Sequence, residues 1–249
     1  MSNDTLTSMG TTLLVWAHPD DETYLSGGLA ASLVTRGHRV VAVTATRGEL
    51  GGTDTRPAAW AKTALLRTAE LDRALALLGV VEHHWLGYPD GGCAEADPEP
   101  AVRRLAELID EVRPDTVLTF GPDGFTGHPD HRTVSRWVDR ALDRCRMSPR
   151  LLHAVATEQD RVDPELDNDF GVFALGEPRI CAPEEVALRL PLDPDALRRK
   201  VAALQAQESQ TAGLIQAVGL ERFTAWVSIE VFADPARDAA DDPEPAVSH

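Results

Sequence analysis

Apolar residues arrive along this chain in short unbroken runs, spaced by longer stretches with a helical rhythm. Thr11–Trp16, Val40–Thr44 and Thr116–Phe120 are the clearest runs, and Val80–Leu86, interrupted by Glu82-His83-His84, and Leu151–Thr157, interrupted by His153, are read as two further strands. They do not alternate with polar residues, which is the pattern of parallel strands covered on both faces. After the first run, Leu29, Ala30, Leu33 and Val34 keep a helical spacing that stops at Gly37. Further helices are predicted over about Pro57–Leu78, closed by Gly79, over Glu99–Val112, halted near Pro114, and over roughly Asp130–Arg146. Strand and helix alternating in this way predict an α/β fold. We expect a Rossmann-like three-layer sandwich with a largely parallel, doubly wound central sheet.

The rhythm weakens from Glu158 to Glu177, a polar stretch read as a surface excursion. Val186–Leu190 reads as a short strand and Pro194–Val218 as one helix, with Leu197, Val201, Leu204 and Leu214 as anchors. Ala225–Phe232 alternates apolar and polar residues and is expected to be an edge strand. The expected organisation is a flexible N-terminus over 1–10, a single α/β domain over 11–233 and an acidic, disordered tail over 234–249.

Composition narrows the partners. The chain has 249 residues and a formal net charge of -16, which excludes nucleic acid and anionic membrane surfaces, since both need basic protein surface. No apolar stretch approaches the roughly 20 residues of a membrane span, and Met1-Ser2-Asn3-Asp4 does not open a signal peptide. The three cysteines, Cys93, Cys145 and Cys181, are too far apart for a metal-binding pair and read as the free thiols of a cytoplasmic protein. Self-association into a homo-oligomer stays open.

The candidate chemistry lies at two strand ends. Trp16-Ala17-His18-Pro19-Asp20-Asp21-Glu22 follows the first run, and His128-Pro129-Asp130-His131 follows the fourth. In open α/β sheets ligands bind outside the carboxyl ends of the strands, so both knots fall on the active edge. A catalytic zinc site needs three protein ligands and an open position. His18 and Asp21 are three apart, and His128 and His131 repeat that spacing. Three ligands drawn from these four would leave Asp20 free to take a proton from water at the open position. The remaining histidine could then protonate a leaving group, oriented by an adjacent carboxylate. His38, His83, His84, His153 and His249 have no partner at ligand spacing and are read as structural or surface residues.

Ala17-His18-Pro19-Asp20-Asp21-Glu22, followed by Gly127-His128-Pro129-Asp130-His131, resembles the LmbE-like, or PIG-L, family of zinc-dependent N-acetylglucosaminyl deacetylases. Thr46-Arg47-Gly48-Glu49, Leu66-Arg67, Leu86-Gly87-Tyr88-Pro89-Asp90-Gly91 and, later, Lys200, Ala203-Leu204 and Ser209-Gln210 extend the likeness over about residues 11–232. The resemblance implies zinc (or another divalent transition metal) on His18, Asp21 and His131. It implies Asp20 as general base, His128 as general acid and Asp130 as the group that orients His128. Glu49, Arg67 and Asp90 match positions used around the sugar, although Arg67 and Glu70 could equally form an ion pair along one helix face. The implied reaction is hydrolysis of the N-acetyl group of a small-molecule amino sugar or sugar conjugate. The same centre on another N-acylated natural product or thiol conjugate is a second reading, and a non-catalytic metal- or sugar-binding module a third. The chain departs from the pattern at Gln207, where a histidine is usual. It departs again in Gly124-Phe125-Thr126-Gly127, which lacks a tyrosine and offers only the Thr126 hydroxyl.

Overall fold

The computed structural model describes residues 6–161 and 163–235. Seven strands form one sheet: β1 (Thr12–Trp16), β2 (Val40–Thr46), β3 (Glu82–Tyr88), β4 (Thr116–Phe120), β5 (Arg150–Ala154), β6 (Val186–Pro191) and β7 (Ile229–Ala233). Their spatial order is β3-β2-β1-β4-β5-β7-β6. The first five are parallel, whereas β7 runs antiparallel to both β5 and β6. β1, β2 and β4 are buried along their whole length, which is why their sequences are unbroken apolar runs.

Four long helices cross between these strands: α1 (Asp21–Thr35), α2 (Pro57–Leu78), α3 (Pro98–Val112) and α4 (Pro129–Leu142). From β1 the chain steps outward through β2 to β3, then returns across the sheet to β4 and β5. Right-handed crossovers taken in opposite directions place α1 and α2 on one face and α3 and α4 on the other. The reversal leaves a crevice between β1 and β4, whose ends deliver the two histidine motifs. The three-layer α/β architecture is therefore as expected, and its topology brings residues more than a hundred positions apart to one edge. Among the described residues no helix is long and apolar enough to cross a membrane.

The C-terminal part differs in detail from the sequence reading. A short helix α5 (Pro164–Asp169) interrupts the polar excursion. The single helix expected over 194–218 is two, α6 (Pro194–Ala206) and α7 (Glu208–Val218), broken at Gln207. Residues 220–226 form a helix, α8 (Leu220–Trp226), because Phe223 and Trp226 pack against Tyr24 rather than across a sheet. The strand that follows, β7, is not an edge. It is enclosed by β5 and β6, and β6 takes the edge. At the other end Leu6 and Met9 are buried in the core, so the chain is packed ahead of Thr11 and not frayed to residue 10. The tail expected beyond 234 lies almost wholly outside the described residues. Asp234 itself pairs with Arg150 (2.9 Å).

Candidate active site

The first motif turns sharply out of β1. Asp20 is the residue before α1 and has φ 130°, a backbone conformation that L side chains rarely adopt. Three contacts hold it there. Its N–H donates to Glu22 Oε2 (3.1 Å), and Arg67 Nη2 donates to Pro19 O (2.5 Å) and to Asp20 Oδ2 (3.1 Å). The second motif opens α4, where Pro129 occupies the first turn and the peptide N–H of Asp130 donates to His128 Nδ1 (3.1 Å).

The ligand-type atoms of the two motifs converge. His18 Nδ1 lies 3.0 Å from His131 Nε2 and 3.5 Å from Asp21 Oδ2, and His131 Nε2 lies 3.5 Å from Asp21 Oδ1. A tetrahedral ion with metal–ligand distances of 2.0–2.1 Å sets its ligands about 3.3 Å apart, close to these separations, although the two distances to Asp21 go to different oxygens of its carboxylate. His128 also brings a ring nitrogen within 4.8 Å of those of His18 and His131. That is the looser set, and the compact triangle of His18, Asp21 and His131 fits an ion better.

Hydrogen bonding fixes which nitrogens are free. His131 Nδ1 faces Gly124 O (2.9 Å) and Thr126 Oγ1 (3.2 Å), so the ring carries its proton there and Nε2 has a lone pair. His18 Nε2 faces Asp130 Oδ2 (3.2 Å) and Asp90 Oδ1 (3.1 Å), which puts the proton on Nε2 and a lone pair on Nδ1. Two lone pairs and a carboxylate thus point at one spot and need a positive charge between them. Without a metal the proton supplies it: burial opposes protonation of His18, but Asp130, Asp21 and Asp90 around the ring raise its pKa well above the ordinary value. A divalent ion would displace that proton. The donor set therefore fits a metal, with carboxylates behind the histidine as metal-ligating imidazoles commonly have.

Electrostatics separate the neighbouring carboxyls. Burial pushes Asp20 up to about 7, with Arg67 opposing and the charges of Asp21 and Glu22 adding. Burial works in the same direction on Asp21, but its carboxyl falls well below the usual carboxylate range because His131 and His18 adjoin it. Burial takes His131 down to about 4, and His128 is lowered by burial and by His18.

Asp130 departs from its expected task. Its carboxylate accepts from Gly91 N (2.8 Å) and Cys93 N (3.0 Å) and meets His18, not His128. Only its peptide N–H is hydrogen-bonded to His128, because the carboxylate is taken up by the Gly91 and Cys93 N–H groups and by His18. Asp90 likewise accepts from Leu50 N (2.8 Å) while its other oxygen faces His18, and Glu49 Oε1 accepts from Asp90 N (3.0 Å). Arg67 does not pair with Glu70. Its Nη1 donates to Gly48 O (3.0 Å), whereas Glu70 accepts from the Ser209 N–H (2.9 Å) and hydroxyl (2.5 Å). A polar cavity of about 380 Å³ opens over the triangle, lined in part by Arg67, Asp90, His128, Gly51 and Gln210. Glu49 sits behind it.

Several contributors had no assigned role in the sequence. Gln207 Nε2 donates to Glu22 Oε1 (2.9 Å), so the residue in place of the usual histidine buttresses the carboxylate that holds Asp20. Gln210 Nε2 donates to Gly51 O (3.1 Å) at the cavity rim. The Ser209-Gln210 pattern was the available signal for this wall. Thr126 bonds His131 and is therefore a ligand support.

The chain is similar to known proteins. The family described as "PIG-L: GlcNAc-PI de-N-acetylase" matches residues 13–142. The 1D-myo-inositol 2-acetamido-2-deoxy-alpha-D-glucopyranoside deacetylase of Mycobacterium sp. (strain JLS) is 34% identical over 234 residues, covering 80% of this chain and 73% of that protein. The deacetylase of the same name from Acidothermus cellulolyticus is 34% identical over 232 residues, covering 80% and 79%. Among solved structures, N,N'-diacetylchitobiose deacetylase from Pyrococcus horikoshii superposes with a TM-score of 0.64 at 19% identity, covering 93% of this chain and 85% of that one, which is a likeness of fold.

Proposed function

This chain belongs to the PIG-L family of GlcNAc-PI de-N-acetylases, and from that membership we propose a metal-dependent N-deacetylase that removes the acetyl group from a small amino sugar or amino-sugar conjugate. The observation that carries the proposal is the convergence of His18 Nδ1, His131 Nε2 and the Asp21 carboxylate within 3.0–3.5 Å, with Asp20 beside them. Zinc is the proposed metal, held by those three residues. When bound it would polarise the amide carbonyl and acidify water.

The chain's own groups supply the rest. Asp20 takes the proton from the attacking water, and Arg67, at 3.1 Å, favours the ionised form that can accept it. His128 Nδ1 is closed by the Asp130 N–H, so Nε2 is the atom left to face the cavity. There the neutral ring donates a hydrogen bond to the carbonyl oxygen as negative charge develops. Having no second ring proton it is not the acid, and Asp20 passes the proton it took from water to the departing amine. Asp130 and Asp90 hold His18 in one tautomer. Arg67, Asp90 and Gln210 offer the polar wall against which sugar hydroxyls would lie. The 2-acetamido-2-deoxyglucoside named for the Mycobacterium relative is a member of the proposed substrate class.

The test is metal analysis of the purified chain together with amine release from a panel of N-acetylated sugars. About one zinc per chain is expected, as for a single catalytic site. Asp20→Asn should keep the metal and lose turnover by about 10²–10⁴, the contribution of a general base. Absence of bound divalent metal from the folded protein, or full activity of Asp20→Asn, would overturn the assignment.

A further inference from the structure

Two cavities meet at Asp20, Asp21 and His131. One is the polar cavity described above. The other, about 340 Å³, has walls of different character: Leu25 on α1, Phe125 in the loop before the second motif, Phe173, Leu214 on α7, Trp226 on α8 and Ile229 on β7. Its carboxylates are already engaged. Asp160 is bonded to Arg189 (2.9 Å) and Thr157 (2.7 Å), Asp167 to Trp226 Nε1 (3.0 Å), and Glu230 to Gly28 N (2.7 Å) with Lys200 Nζ at 2.9 Å. Lys200 is paired with Glu230 and Arg161 with Asp167 and Glu177, so what remains for a ligand is mostly hydrocarbon and aromatic surface, with Tyr24 among the polar groups on it.

We infer that this apolar cavity receives the acyl chain of the substrate, and that the enzyme hydrolyses N-acyl amino sugars whose acyl group is longer than acetyl. The inference rests on the deacetylase reading and specifies its acyl side. An amide has two ends, and at this site the carbonyl must lie where Asp20 and the triangle meet. The amine end carries sugar hydroxyls and suits the polar cavity. The acyl end then enters the second cavity, whose volume is in the range of about 300–1,000 Å³ that buries whole small-molecule ligands. A lone acetyl methyl would leave most of that wall uncovered. The reaction balances as RCO–NHR′ plus water giving RCOO⁻ and R′NH₃⁺: the C–N bond breaks, a C–O bond forms, and the water protons leave on the amine.

The experiment is a chain-length series, N-acetyl to N-octanoyl glucosamine, with the zinc-loaded full chain. kcat/KM is expected to rise about threefold to fourfold for each methylene that becomes buried, up to the length that fills the cavity. Leu214→Trp, and independently Ile229→Phe, should invert the hexanoyl-to-acetyl ratio by occupying the cavity. Octanoate should bind the wild-type chain at least about tenfold more tightly than acetate by calorimetry, and lose that advantage in both variants. A series that falls from acetyl onward, or a ratio unmoved by both variants, would overturn the inference while leaving the deacetylase reading intact. Failure to cleave every amide in the series, acetyl included, would overturn the deacetylase reading itself.

Discussion

Lys200→Met tests how the active-site helix is fastened to the sheet. Lys200 on α6 is fully buried, and its Nζ lies 2.9 Å from Glu230 Oε1 on β7, which is itself 3% exposed. The approach is off the line of a good hydrogen bond, so the contact is chiefly Coulombic. Glu230 also accepts from two peptide groups inside α1, Gly28 N (2.7 Å) and Leu29 N (2.8 Å). One carboxylate therefore ties α1, whose first turn carries Asp21, to β7 and α6. Removing one member of a buried pair costs about 3–5 kcal/mol. In Lys200→Met the carboxylate keeps its two N–H donors, so the loss should fall toward the lower end. Glu230→Gln should cost more. It strands the ammonium and turns an amide NH₂ toward one of the two N–H groups, adding about 1–3 kcal/mol for the mispaired donors.

The double variant removes the stranded charge and leaves only the mispairing. Its loss should be about 1–3 kcal/mol, below that of Glu230→Gln alone, and the coupling energy should reach about 3 kcal/mol or more. Urea denaturation of all four proteins at fixed metal concentration and pH 7 measures it, with equal m-values as the check on two-state behaviour. Losses that add to within about 0.5 kcal/mol would refute the argument, because independent sites add and a buried pair does not.

Arg67→Met should show whether that residue serves the base or only the sugar. Loss of the cation 3.1 Å from Asp20 should move the acid limb of kcat/KM upward by about 1–3 pH units and lower kcat, while a raised KM with an unmoved limb would assign Arg67 to substrate alone. His153→Phe should flatten the acid sensitivity of folding. His153 is buried on β5 with neither ring nitrogen hydrogen-bonded, and burial lowers it from 6.5 to about 4. The unfolded chain binds that proton first, so the contribution is complete above pH 6.5 and is lost as pH falls toward 4, by about 3 kcal/mol at most. Unchanged stability curves for wild type and variant between pH 7 and 4 would exclude it.

Much of the fold was legible because burial on both faces writes itself into sequence as unbroken apolar runs. β1, β2 and β4 could be placed within a residue or two for that reason. The start of β7 was misread because Trp226, which packs against Tyr24 from α8, continues the alternation of the strand that follows. Periodicity over so few residues cannot tell a short helix packed by aromatics from the start of a strand. The break at Gln207 carried no glycine or proline to mark it. It exists because Gln207 turns inward to Glu22, a tertiary contact 185 residues away in sequence.

The same distinction separates the legible from the illegible parts of the site. Ligand-type residues at i and i+3 past a strand end can be recognised locally, since one turn of backbone brings them together. The groups that set their chemistry cannot. Asp130 reaches His18 across 112 positions, and Arg67 reaches Asp20 across 47. Both contacts depend on how loops from different strands meet at the crevice between β1 and β4. Asp20 shows the consequence most clearly. Its backbone at φ 130° is costly by itself, by about 1–3 kcal/mol, and persists only because neighbours over-determine it. Glu22 holds its N–H, Arg67 holds its carboxylate and the carbonyl before it, and Gln207 holds Glu22. The position of the proposed base is thus a property of three elements, α1, α2 and the α6–α7 junction, although the motif that announces it occupies one turn.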